Sequence, residues 1–196
     1  VILFMRFYVL IITLGLLLPS CAPTIKVVDR YPSEQKKTEE LVKGKGSSVH
    51  TVKRIEYYPN GAKESEVDIK LDEKYGKYIG YHKNGATAVI GNYAGNEQSG
   101  KWTWTGMTGI IDSVHTYKFG LLNGKTIYYK DGEIHIQKKY TDGKLNGKFL
   151  EFYDNGNKKV TGSYLENLPN DKWIWWEGDK SKSRIVNFSN GIKHGN

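Results

Sequence analysis

Hydrophobic and polar positions along this chain alternate in short runs, and the runs return on a fixed period. "GKWTWT" at 100–105, "GKTIYY" at 124–129, "GKFLEFY" at 147–153 and "DKWIWW" at 171–176 carry aromatic and aliphatic side chains at alternate positions or more densely. Period-two alternation rich in aromatic and β-branched residues predicts strands. Turn pairs punctuate the runs at Asn60-Gly61, Asn84-Gly85, Asp131-Gly132 and Asn155-Gly156. Such pairs favour the two-residue type I′ turn, in which both central residues take positive φ. A second run follows each turn, and then a loop rich in Gly and Asn, such as "TDGKLNG" at 141–147, opens the next unit.

Three columns define the repeat. Gly76-Lys77, Gly100-Lys101, Gly124-Lys125, Gly147-Lys148 and Asp171-Lys172 are spaced by 24, 24, 23 and 24 residues. The turn glycines Gly61, Gly85, Gly109, Gly132 and Gly156 keep the same spacing, and so do Tyr93, Tyr117, Tyr140, Tyr164 and Phe188 up to the shared deletion. Self-similarity on this period is the signature of a stacked array. The expected fold is all-β: an elongated antiparallel meander of about six tandem 24-residue β-hairpin repeats. The first unit lacks the Gly-Lys opening and the last replaces Asn-Gly with "EGDKSKS", as terminal units of an array do.

A two-residue turn at Asn84-Gly85 sets Gly76 opposite Tyr93, and the same count sets Gly100 opposite Tyr117 and Gly147 opposite Tyr164. A ring lying across a strand glycine is the aromatic-rescue arrangement. In the unit that opens at Gly124 the turn comes one residue early, so the same pairing there needs a bulge or a slipped register.

These units resemble the MORN-repeat variant family, on "YTDGKLNGKFLEFYDNG" at 140–156 and more weakly on "FGLLNGKTIYYKDG" at 119–132 and "YHKNG" at 81–85. The resemblance covers roughly 53–194. It implies an elongated antiparallel meander and a binding or scaffolding role, with antitoxin-like bacterial members. It brings no catalytic residues.

The leader changes the picture of where such an array resides. Arg6 precedes an apolar run at 7–18, about the length of a secretion signal and short for a transmembrane helix. "LPSC" at 18–21 resembles the bacterial lipobox, with Pro19 as a departure. Cys21 is the chain's one cysteine, so it has no internal disulfide partner. The expected organisation is a lipoprotein signal peptide at 1–20, a lipidated Cys21 with a flexible tether over 21–51, and the repeat domain at 52–196. Two or three acyl chains would anchor it stably where one would not. Within the polar tether, 33–42 reads as a short helix, and 25–29 alternatively as an edge strand. The expected address is the cell envelope, at the outer membrane or surface, with Ala22 after the acceptor pointing outward.

The formal charge of +8 concentrates attention on Lys77, Lys101, Lys125, Lys148 and Lys172. Equivalent strands lie two apart, which spaces these lysines by about 9–10 Å. Such a rail attracts anionic headgroups or an acidic polymer. As solvated stems, the same lysines would cover neighbouring rings. Alternation puts Trp102, Trp104, Trp173 and Trp175 on one face. Ile79, Ile127, Leu150 and Ile174 project to the other with Tyr81, Tyr129, Phe152 and Trp176. Both faces therefore carry apolar stripes, which calls for a coiled sheet, a second copy or a partner. An exposed Trp stripe would stack on sugars or receive a protein.

The five histidines keep no metal-ligand spacing. Glu151 and Glu177, on strand positions of different hairpins, could stand at the roughly 5–9 Å separation of a glycosidase pair, which makes a hydrolase a further alternative. No P-loop, Rossmann or Gly-x-Ser-x-Gly pattern occurs. The reading is a non-enzymatic protein-binding or scaffolding lipoprotein, requiring no cofactor, metal or nucleic acid. Its alternatives are a glycan or cell-wall binder using the Trp/Tyr stripe, an antitoxin-like protein neutralising an envelope-acting toxin, and an anionic-lipid binder.

Overall fold

The computed structural model describes residues 22–194. The expected signal peptide and the expected lipidation site, Cys21, lie outside them. Sixteen strands form one sheet: β1 Thr24–Arg30, β2 Lys36–Lys43, β3 His50–Tyr57, β4 Lys63–Lys70, β5 Glu73–Tyr81, β6 Thr87–Ala94, β7 Glu97–Thr105 and β8 Ile111–Lys118. Then follow β9 Leu121–Lys130, β10 Glu133–Thr141, β11 Lys144–Leu145, β12 Gly147–Phe152, β13 Lys158–Leu165, β14 Leu168–Trp176, β15 Lys182–Ser189 and β16 Ile192–His194. Each strand pairs antiparallel with its sequence neighbour; the two-residue β11 pairs with β10 just before β12 does. The expected meander of repeat hairpins is the fold. It is quasi-one-dimensional, because each strand packs chiefly on the strands beside it in sequence.

The turns differ from expectation. In five of the six repeat hairpins the loop has three residues, not two. At 82–86 the His82 N–H donates to the Ala86 carbonyl and the Gly85 N–H to the His82 carbonyl, both at 2.8 Å. Only Gly85 has positive φ, at 85°. This is a type I turn followed by a left-handed residue. Asn84 contributes its side chain, accepting a bond from the Ala86 N–H at 3.0 Å. The final "EGDKSKS" loop closes identically, with Lys180 at φ 74° in the glycine position.

The expected register nevertheless holds, because a second irregularity cancels the first. The longer loop pairs Tyr81 with Thr87; a one-residue bulge then skips Ala88 and pairs Gly80 with Val89. Gly76 therefore faces Tyr93, Gly100 faces Tyr117 and Gly147 faces Tyr164. The 23-residue unit explains itself in the same terms. There the loop is a true type I′ turn, Asp131 at 53° and Gly132 at 85°, while the bulge between Ile134 and Ile136 is kept. Gly124 still faces Tyr140. The deletion is absorbed in the turn. Inserting Asn between Asp131 and Gly132 should accordingly shift stability by no more than about 0.5 kcal/mol in urea unfolding.

The Gly-Lys column has a different cause from aromatic rescue. Where one hairpin meets the next, the register jumps by two residues, as from Val67–Tyr78 to Ile69–Lys74. Gly76, Gly124 and Gly147 sit in these bulges with φ of 97°, 119° and 114°. A Cβ on Gly76 would first meet Asp68 at 3.2 Å, and one on Gly147 would meet Lys139 at 2.9 Å. At Gly100 nothing lies within 4 Å, so the opposing tyrosine does not cap it. Glycine is there because the backbone is left-handed.

Repeats are also stitched beyond their shared edges. The junction turns donate backward to the preceding unit: Asn96 N–H to Lys74 O at 3.0 Å, Gly143 to Leu122 at 2.8 Å and Asn167 to Leu145 at 2.9 Å. At the opposite end, Tyr58 and Tyr153 hydroxyls donate forward to the Tyr81 and Trp176 carbonyls, both at 2.8 Å.

The expected tether and its helix at 33–42 are replaced by a strand pair. β1 and β2 extend the sheet, and the edge-strand alternative at 25–29 is what forms. Composition hid this because the segment's charges are used across strands. Arg54 pairs with Glu40 at 2.8 Å and Lys37 with Asp29 at 2.8 Å. Thr38 and Glu39 are buried, and the Tyr57 hydroxyl donates to the Glu39 carboxylate. That bond, seconded by Lys36, holds the Glu39 carboxyl below the usual range against the opposing effect of burial. A depressed carboxyl contributes stability above its ordinary titration and loses it as pH falls through the lowered value. Thermal unfolding followed below about pH 4 should show this loss, and Tyr57→Phe should shrink it.

Candidate functional site

Strand alternation divides the candidate residues between two faces. One face is closed by its own aromatics. Trp102 is 2% exposed and Trp173 is 6% exposed. Each indole lies on a glycine of the preceding strand: a Cβ on Gly91 would fall 2.1 Å from Trp102, and one on Gly162 would fall 2.3 Å from Trp173. The two clusters are near copies. Trp102 stacks on Tyr78 at 5.4 Å and meets Tyr93 edge-on at 5.1 Å. Trp173 stacks on Phe149 at 5.4 Å and meets Tyr164 edge-on at 5.0 Å. Their ring N–H groups donate to the Asn92 and Ser163 carbonyls at 3.1 and 3.0 Å. Trp104 and Trp175 flank them, half-buried, against His115 at 4.5 Å and the Arg184 guanidinium at 5.0 Å.

Gly91 and Gly162 were not singled out from the sequence. The available signal was that each stands three repeats from the other, as Trp102 does from Trp173. Between the clusters, Thr126 takes the tryptophan position and His115 the glycine position, as cross-strand partners. Their Oγ1 and Nε2 atoms are buried without hydrogen-bond partners, and burial pushes the His115 imidazole's pKa down.

The other face is open. Its central cross-strand row runs Ile79, Ile90, Thr103, Val114, Ile127, Gln137, Leu150, Thr161, Ile174 and Ile185. Ile90 is 43% exposed and Ile185 46%. Beside it runs the lysine row. Lys77 pairs with Asn92, Lys101 with Thr116, Lys125 with Lys139, Lys148 with Ser163 and Lys172 with Asn187. All six lysines are exposed. Over β12–β14 this face forms an open groove of about 630 Å³, with Lys148, Lys158 and Lys172 around Leu150, Ile174 and Trp176.

The structure thus gathers the five expected lysines into one row and adds Lys139. It sets all four expected tryptophans on the opposite face, so lysines and tryptophans do not form one site. Trp102 and Trp173 are core and offer no ring to a sugar. Glu151 is bound to Lys159 at 2.7 Å, and Glu177 is exposed in the last loop. Among the described residues, no group of three His, Cys, Asp or Glu side chains could hold a metal, and no helix is long and apolar enough to cross a membrane. No model of a known protein family matches the chain, and no curated protein shows significant similarity to it.

Proposed function

We propose that this chain is a non-catalytic binding or scaffolding module of the MORN-like kind, held at a cell envelope by lipid on Cys21, with a protein as its partner. One observation carries the reading. A sheet that seals one face with its own rings leaves a mostly aliphatic row on the other, half-exposed except at the buried Val114, and no segment among the described residues lies over Ile90 or Ile185. Exposed apolar surface of this extent, edged by charge, is what interaction faces look like. The repeat supplies rigidity, and rigid presentation lowers the entropy lost on binding.

A photoreactive side chain placed at Ile90 or Ile174 of the full chain, activated in the native envelope, should give a discrete adduct with a second protein. The same group at Arg184, on the aromatic face, should not. Adducts from Arg184 alone, or from no position, would remove the reading.

A further inference from the structure

The open face is not evenly charged. In its N-terminal third the lysines are neutralised: Lys36 by Glu39 at 2.9 Å, Lys63 by Glu66 at 3.1 Å and Lys53 by Asp68 at 3.2 Å. From β5 to β14 that changes. Lys77, Lys101, Lys125, Lys139, Lys148 and Lys172 stand in one cross-strand row, and none has a carboxylate within ion-pair distance among the described residues. The acids at the row's two ends are engaged elsewhere: Asp68 pairs with Lys53 and accepts from the Lys77 backbone N–H, and Asp171 accepts from the Ser163 hydroxyl at 3.0 Å.

The crowding is greatest at the centre. Lys125 and Lys139 are direct cross-strand partners, and the Lys139 stem lies against Gly147, next to Lys148. Three ammonium groups thus start from adjacent strands about 4.8 Å apart. Like charges directly opposite one another destabilise a sheet. Nothing in the fold requires lysine at 139, where a neutral residue would fit the exposed site. The arrangement costs stability in the free protein, a cost that an anion lying across it would offset.

We infer that the lysine row, with the aliphatic row beside it, binds an acidic amphipathic segment of a polypeptide laid across the strands. The inference deepens the binding reading above and rests on its choice of face. Two features select the occupant. Neighbouring strands turn by about 20°, so the row's lysines fan out in direction, and a planar bilayer meets only a few together while a flexible chain can follow them. The row beside the lysines is mostly aliphatic, with Thr103, Gln137 and Thr161 scattered along it and Trp176 the one ring lining its groove, so a sugar polymer finds no continuous line of rings or hydrogen-bond partners there. A peptide with acidic and apolar side chains satisfies both rows.

The test uses the full chain and a labelled peptide of alternating glutamate and leucine, with polyglutamate, heparin and phosphatidylglycerol vesicles as comparators. The alternating peptide should bind tightest, and its affinity should fall with added salt. Replacing Lys125, Lys139 and Lys148 together by Ala should weaken it on the order of tenfold or more. Changing Lys26, Lys83 and Lys193, exposed lysines outside the row, should do little. Lys139→Glu should weaken binding while raising the melting temperature, an opposition that a purely structural lysine would not show. Equal losses from the two triple variants, or tighter binding of heparin or vesicles, would overturn the inference. A protein adduct at Ile174 that survives the Lys125/Lys139/Lys148 variant would sink it and leave the binding reading standing.

Discussion

Gly91→Ala and Gly162→Ala should each destabilise the protein by about 3 kcal/mol, far more than a strand glycine normally costs. The added methyl would sit inside van der Waals contact with an indole that has no room to retreat. Trp102 is stacked on Tyr78, blocked edge-on by Tyr93 and tied by its ring N–H to Asn92. Trp102→Ala should itself cost roughly 3–5 kcal/mol. The two changes should not add: with the indole gone, Gly91→Ala should cost about 1 kcal/mol or less, a coupling of about 2 kcal/mol in a double-mutant cycle. Urea unfolding measures it, and strict additivity would mean that ring and glycine do not meet. Gly85→Ala is the control, since a Cβ there has open space and only the positive φ opposes it.

Deleting residues 22–43 should have the second large effect. A hanging tether could be removed without consequence. β2 instead covers Ile55 and Tyr57, which are 8% and 7% exposed. Uncovering them costs about 1.5–3 kcal/mol for each side chain of this size. Tyr57 also loses Glu39, its hydroxyl's acceptor. The truncated chain should melt several degrees lower and exchange its β3 and β4 amides faster, with little change beyond β7, because an array transmits damage mainly to its neighbours. Unchanged melting would restore the tether.

How much of this was legible from sequence can be judged at particular residues. The repeat period, the hairpins, the pairing of Gly76 with Tyr93 and the split of Trp102 from Ile79 all follow from spacing and alternation, because those are backbone properties. The turn type did not follow. A three-residue loop plus a one-residue bulge leaves the same partners as a two-residue turn, so register could not distinguish them. The reason for Gly76 was misread for a related cause: a glycine column signals either an empty Cβ position or a left-handed φ, and spacing is blind to φ. The N-terminal hairpin was hidden because Glu39, Glu40, Lys36 and Lys37 make it look soluble and loose, whereas Lys37, Glu39 and Glu40 find partners across strands and Lys36 pairs with Glu39 along its own. Of the candidate site, the lysine row was visible and its neighbour Lys139 was not, since it lies on the return strand, outside the Gly-Lys motif. The burial of Trp102 and Trp173 depended on Gly91 and Gly162, which only three-dimensional packing reveals as their seats.

Hydroxyl-radical footprinting of the folded chain, normalised residue by residue to the unfolded chain, tests the two-faced sheet most directly. Trp102 and Trp173 should be strongly protected, while Ile90, Ile185 and the methylenes of Lys125, Lys139 and Lys148 label freely. Labelling of both tryptophans to the same extent as Ile90 and Ile185 would contradict the account.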